Sequence, residues 1–433
     1  MGRKKAQERP VFVSDAVKPE DIRESMKMVG EYVQPYQELM ARREQGEHLE
    51  RMVAGLASNL ERKSVEPIAV MHGRSRRGLQ RFVGENGWGH RPLVELQRAQ
   101  VAAEIGTPEG SLVLDGSATP KKGEETVGVA RQWCGTKGKV DNCVLGVYAT
   151  YVGKESLATL VGSELFLPQL WTDNKKRRKK AHVPEDVEYQ TQPEIATGLV
   201  HEIAAQIPFR WVLGDDEFGR ARAFRDAAGE LKDYVLDVPQ NTKVHRISKR
   251  GRIGKVAWSA KRLAKACPVS EWKYFKVRNA EKGPIEVRVL CKDVVTPRAR
   301  SPWVHEKLLV VETADGSQRW YCLARTREPV ELIELVRQAG LRHRVEEVFG
   351  ESKGELGLDH FEVRAWHGWY HHMTIVQIAH WFLVREKRRL GKKSTRHHHQ
   401  SNSDGHCSAP GSAPLSGAIG RFHQLPSDSQ LSG

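Results

Sequence analysis

Residues 342–372 read RHRVEEVFGESKGELGLDHFEVRAWHGWYHH. The first half has helical spacing: Glu346, Phe349 and Lys353 fall at i, i+3 and i+7 and stack along one face. One carboxylate, one aromatic anchor and one lysine are presented together, with Arg342 one turn before Glu346 on the same side. Charged residues on a helix usually mark a solvated face, so this spacing alone assigns no chemistry. The second half leads into WHGWYHHMTIVQIAHWFLV, a strongly apolar helix suited to covering a sheet. His371, His372 and His380 lie on it, but no HExxH occurs, and these histidines read as structural.

Upstream, two apolar runs end in aspartate. SLVLD ends in Asp115, and TVGVARQWCG and VDNCVLGVYATYV follow as two further strands, with GSATPKKGEE a turn between the first two. WVLGDD ends in Asp215 and Asp216, and a helical pattern through Phe224 and Leu231 leads to the strand YVLDVP. Before it, Ile195, Leu199, Ile203 and Ile207 recur at i+4 as an amphipathic helix. An aspartate at a strand end is most often a cap or turn residue, so position gives no function by itself.

The rest of the chain is basic. Its 433 residues carry a formal net charge of +15, which favours a polyanionic partner, nucleic acid or an anionic membrane. No apolar run approaches the roughly 20 residues that span a bilayer. The opening MGRKKAQERP lacks the apolar core of a secretion signal, so no leader is expected. Six scattered cysteines without a CxxC argue for neither a zinc site nor a disulfide frame. Residues 1–105 read as helical, with Arg74, Arg76, Arg77 and Arg81 as candidate phosphate contacts. The run Lys175, Lys176, Arg177, Arg178, Lys179, Lys180 reads as a loop, either solvated or on a DNA backbone. From Asn241 to Ser270 there are nine Lys or Arg and no acidic residue, and four strand-like runs follow up to QRWYCLART. From Gln400 onward Ser, Gly and Pro dominate, and the tail is expected to be disordered.

Three of these stretches resemble the insertion-sequence DDE transposases, specifically the 701 branch of the insertion-sequence 4-like group. Arg342, Glu346 and Lys353 match the spacing around that family's last acidic residue, with Ala339 where the pattern has Tyr. The stretch from Asp115 to Cys143 resembles the first-aspartate motif, with Gly116, Ser117 and Ala118 where the family has an acidic residue, Thr and Gly. GDDEFGRARAFRDA resembles the second, with Asp215 the aligned residue.

The resemblance implies an α+β, RNase H-like catalytic core with a β-rich insertion between the second Asp and the Glu, preceded by a helical N-terminal domain. The expected division is a helical domain 1–105, core 106–239, basic insertion 240–329, core 330–392 and tail 393–433. It implies a transposase that cuts the ends of its element and joins them to target DNA. Asp115 would bridge two Mg²⁺ ions, replaceable by Mn²⁺, with Asp215 and Glu346 holding one each. Arg342, Lys353, Lys121, Lys122 and the basic run at 175–180 would contact double-stranded DNA. A homodimer acting in the bacterial cytoplasm, at the nucleoid and away from membranes, completes the expectation. The rival classes are an RNase H-like nuclease or resolvase that cuts without joining, and an inactive DNA-binding descendant of a transposase.

Overall fold

The computed structural model describes residues 19–248, 250–280, 283–297 and 303–401. Helices come first: α1 (Pro19–Gln37), α2 (Arg43–Leu56), α3 (Val65–Met71), α4 (Arg76–Gln80) and α5 (Arg91–Ile105). Their apolar stripes, Tyr32, Val33 and Tyr36 on α1 and Leu49, Met52 and Val53 on α2, are buried. The long last helix, α14 (Trp366–Ser401), is their support: the Tyr32 hydroxyl donates to the Ile378 carbonyl at 2.8 Å, and Gln377 donates to Gln97 of α5 at 2.9 Å. Helix α14 is buried on every side through its first half because it is covered by the N-terminal helices on one side and by the sheet on the other.

The sheet begins with β1 (Ser111–Pro120), β2 (Ala130–Cys134), β3 (Lys139–Val152) and β4 (Ala158–Leu165). Two short helices, α6 (Gln169–Thr172) and α7 (Lys175–Lys180), precede α8 (Gln192–Ala204), which opens with a Thr191–Glu194 capping box. Then come β5 (Trp211–Gly214), α9 (Asp216–Arg220), α10 (Arg222–Leu231) and β6 (Asp233–Asp237). The basic region forms β7 (Lys243–Ile247), β8 (Ile253–Ser259), α11 (Ala260–Ala266), β9 (Lys273–Ala280), β10 (Gly283–Thr296), β11 (Val304–Thr313) and β12 (Arg319–Arg325). Helices α12 (Leu332–Leu341) and α13 (Arg344–Gly354) lead to α14.

Among the described residues these strands join one mixed sheet in the order β2-β3-β1-β5-β6-β12-β11-β10-β7-β8, with β4 on β3 and β9 on β10. Only β1–β5 and β5–β6 pair in parallel. The strands after β6 therefore extend the central sheet through β12, while keeping a small core of their own around Val244, Leu263, Leu290 and Leu308. A buried network ties the two parts together. Glu306 of β11 accepts from Arg225 of α10 at 3.1 Å and from the Tyr234 hydroxyl of β6 at 2.6 Å, and Thr296 also bonds it.

Four local expectations differ from the structure. First, β1 does not stop at Asp115. The run Gly116–Pro120 stays paired with β3 as far as Pro120↔Cys143, so Asp115 lies mid-strand, and only its parallel partner ends there. Second, β4, β7 and β8 had no clear apolar alternation and are extra strands. Third, the six basic residues 175–180 form a helix rather than a loop. Asn174 caps it by accepting from the Arg177 amide, and Lys and Arg are good helix formers. Fourth, α14 runs on to Ser401, past the expected start of the tail at 393. The remainder of that tail, 402–433, lies outside the described residues, as do residues 1–18 of the expected helical domain.

Candidate active site

Register brings the two predicted aspartates together. Leu114 of β1 pairs with Gly214 of β5, and Gly214 pairs with Leu236 of β6. The next residues are Asp115, Asp215 and Asp237, on three adjacent strands spaced about 4.8 Å apart. This is where the parallel strands end, the usual place for a site in such sheets. Asp215 is also the N-cap of α9, accepting from the Glu217 amide at 3.0 Å.

Helix α13 brings Glu346 to the same place. Phe349, one turn on, meets Tyr148 edge to face at 5.3 Å, and Tyr148 is the β3 partner of Asp115. Between α12 and α13, Arg342 reaches across: its Nε lies 2.8 Å from Asp237 Oδ2 and its Nη2 3.6 Å from Glu346 Oε1. His343 Nδ1 holds the other Glu346 oxygen at 3.1 Å. The Cys322 thiol of β12 donates to Asp237 at 3.2 Å. Asp237 is thus a fourth carboxylate of the site, and the sequence reading missed it. Its signal was present in YVLDVP, another apolar strand ending in Asp.

The electrostatics follow from this crowding. Burial and the neighbouring Asp215 push the Asp115 carboxyl up to about 8. Burial and Asp216 push Asp215 up to about 6, and burial also raises Asp237. Glu346 moves the other way, held below its usual range by the His343 hydrogen bond and by Arg342. Burial works against the Arg342 charge, but Asp237, Asp115, Glu346 and Asp215 outweigh it and raise its pKa.

The predicted basic residues divide by environment. Lys353 is largely enclosed, with Nζ 5.5 Å from the Phe349 ring centre; burial lowers its pKa while Asp359 and Asp115 oppose the shift. Lys121 is turned inward: Nζ donates to the Phe361 carbonyl at 2.6 Å and sits 3.4 Å from that ring, and burial lowers it to about 8. Lys122 is exposed. On α7, Arg177 stacks on Trp171 at 3.8 Å and donates to the Glu124 carbonyl, Arg178 bonds the Pro184 carbonyl, and Lys180 pairs with Glu125. Lys175, Lys176 and Lys179 face solvent. The histidines of α14 serve the fold: His371 bonds the Val83 and Trp88 carbonyls, His372 the Gly357 carbonyl and His380 the Thr159 hydroxyl.

A divalent cation fits the Asp115–Asp215 pair on two counts. The donors are all oxygens, which suit hard ions, and their mutual repulsion is what a cation relieves. Among the described residues, no three His, Cys, Asp or Glu side chains already converge in ligand geometry. Glu346 is instead engaged by Arg342 and His343.

Comparison with known proteins bears on the family. A curated protein of Microchaete diplosiphon, a probable transposase for insertion sequence element IS701, is 27% identical over 248 residues, which is 56% of this chain and 61% of that protein. A family model described as a transposase DDE domain matches residues 188–382, taking in Asp215 and Glu346. A second, described as DDE superfamily endonuclease, matches residues 35–271, more than half of the chain and both aspartates, and the chain therefore belongs to the DDE endonuclease superfamily.

Proposed function

We propose that this protein is a DNA transposase that cuts the ends of an insertion element and joins them to target DNA. The observation that carries the reading is the rung of carboxylates. Asp115 and Asp215 follow paired residues on adjacent parallel strands, and Glu346 comes over them from α13. Asp115, Asp215 and Glu346 would hold Mg²⁺, or Mn²⁺ in its place. Such ions, when bound, supply an activated oxygen nucleophile and stabilise charge on the phosphorus and leaving oxygen.

The chain's own part is positional. The β1–β5 pairing fixes the two aspartates, and the Asp215 carboxylate is anchored by the Glu217 amide at the start of α9. Arg342 and His343 keep Glu346 ionised and aimed at the rung. Arg342 and Lys353 would meet phosphate oxygens near the scissile bond, and the exposed lysines of α7 and Lys122 the flanking backbone. We read the N-terminal helices as contacting element ends, β7–β12 as a basic insertion alongside the core, and the working unit as two copies acting at the nucleoid. Among the described residues no helix is long and apolar enough to cross a membrane.

The test is a reaction of purified protein with DNA from its element's ends, Mg²⁺ and a supercoiled target. Nicked ends and joined products are expected. Nicks without joining would make it a nuclease or resolvase, and binding without nicks an inactive descendant. Asp115→Asn, Asp215→Asn and Glu346→Gln should each abolish nicking while leaving end binding largely intact. Loss in Glu347→Gln with normal nicking by Glu346→Gln would move the site by one residue.

A further inference from the structure

We infer that the β2–β3 hairpin is a stacking contact for unpaired DNA bases, made by Trp133 with Val140 beside it. This rests on the reading of the chain as a DNA-processing enzyme and adds a substrate contact to it. Trp133 and Val140 are cross-strand partners, yet 54% and 52% of each is exposed. Strand alternation gives the face. Tyr148 is opposite Asp115, and β3 residues 146, 144, 142 and 140 share its side of the sheet. The pair therefore lies on the face that carries Asp115, eight residues along β3, or roughly 27 Å.

The hairpin is held rigidly enough to act as a platform. Thr136 donates to the Ala118 carbonyl at 2.9 Å, and Gly138 supplies the positive φ of 62° that its turn requires. Cys134, Cys143 and Ala118 pack together on the opposite face. Charge selects the occupant. From Arg131 to Val140 the hairpin carries Arg131, Lys137 and Lys139 and no acidic residue, with Lys137 paired to Asp141. Strand β2 is a sheet edge, but a second copy would bring the same cations against these, which blunts edge pairing. Nucleic acid meets both features, since every base offers a flat π-face and the backbone is anionic.

The experiment is anisotropy of the full chain with three labelled probes: a paired duplex, the same duplex with a central unpaired loop, and a single strand. Trp133→Ala should lose roughly 5- to 150-fold in affinity for the looped and single-stranded probes, and much less for the duplex. Trp133→Phe should keep most of the affinity, and Arg131→Gln should shallow the salt slope by roughly 0.7 on the single strand. Being exposed, Trp133→Ala should leave the melting temperature unchanged, and Trp133→Phe tests the idea if it does not. Unchanged affinity of Trp133→Ala for unpaired DNA overturns the inference alone. So does a change in sedimentation with affinity per protomer unaltered, which would make the hairpin a contact between copies. Wild-type protein that binds none of the probes would overturn the transposase reading as well.

Discussion

At the residue scale, Asp115 is the most perturbed member of the carboxylate rung, and it makes stability depend on pH. Its pKa in the metal-free fold is raised to about 8, against roughly 3.9 in an unfolded chain. A carboxyl raised in this way favours the fold fully below pH 4, and that contribution is lost as pH climbs towards 8. Without metal, wild-type protein should therefore melt lower at pH 8 than at pH 5, and Asp115→Asn should flatten that trend. A melting series in chelator checks this; equal slopes for the two proteins would show that Asp115 is ionised throughout. Asp237 is expected to matter through Arg342. Replacing it with Asn removes the 2.8 Å ion pair and leaves the guanidinium with its 3.6 Å contact to Glu346 and the charges of Asp115 and Asp215. Nicking should fall by roughly 100-fold, the scale of a misplaced positioning group, with fold and end binding retained. A wild-type rate in Asp237→Asn would reduce that ion pair to a structural detail.

At the element scale, what could be read from sequence was what local chemistry dictates. The apolar runs before Asp115 and Asp215 announced β1 and β5, and i, i+3, i+7 spacing announced α13. The extent of β1 was not legible, because Gly116–Pro120 looks like a turn and is held extended only by pairing with β3. Likewise YVLDVP shows an apolar strand ending in Asp237, but the place of Asp237 beside Asp215 comes from register with β5. The strands after β6 looked separable from the core, yet β12 joins them to β6, and Glu306 makes the join costly to break. Its side chain is fully buried against Arg225, Tyr234 and Thr296. Glu306→Ala would strand the Arg225 charge and should cost about 3–5 kcal/mol in denaturant unfolding. A loss under about 1 kcal/mol would mean water replaces the carboxylate. Helix α7 makes the opposite kind of prediction, since its exposed lysines support no core. Changing Lys175, Lys176 and Lys179 to Gln should leave stability alone and shallow the salt dependence of duplex binding, by about 0.9 for each phosphate no longer neutralised. An unchanged slope would leave α7 a solvated surface.

At the scale of the whole molecule, a chain of net charge +15 gathers four carboxylates, Asp115, Asp215, Asp237 and Glu346, at the place proposed for DNA cleavage. A DNA phosphate and that rung repel each other, and the Arg342 guanidinium offsets only part of the charge. Cation and DNA should therefore bind with positive linkage, each raising the affinity for the other by the same factor. The linkage separates binding from chemistry. Ca²⁺ accepts more oxygens at longer, looser distances, whereas Mg²⁺ requires near-octahedral geometry, and Mn²⁺ resembles Mg²⁺ in its ligands. Ca²⁺ should thus tighten binding of element-end DNA without supporting nicking, while Mg²⁺ and Mn²⁺ should support both. In Asp115→Asn the Ca²⁺-dependent gain in DNA affinity should shrink, because the rung then lacks one of the charges the ion neutralises. Labelled end DNA, titrated in chelator and in each metal, measures all of these. Full nicking in chelator would remove the cation from the mechanism and Asp115, Asp215 and Glu346 from the role given to them.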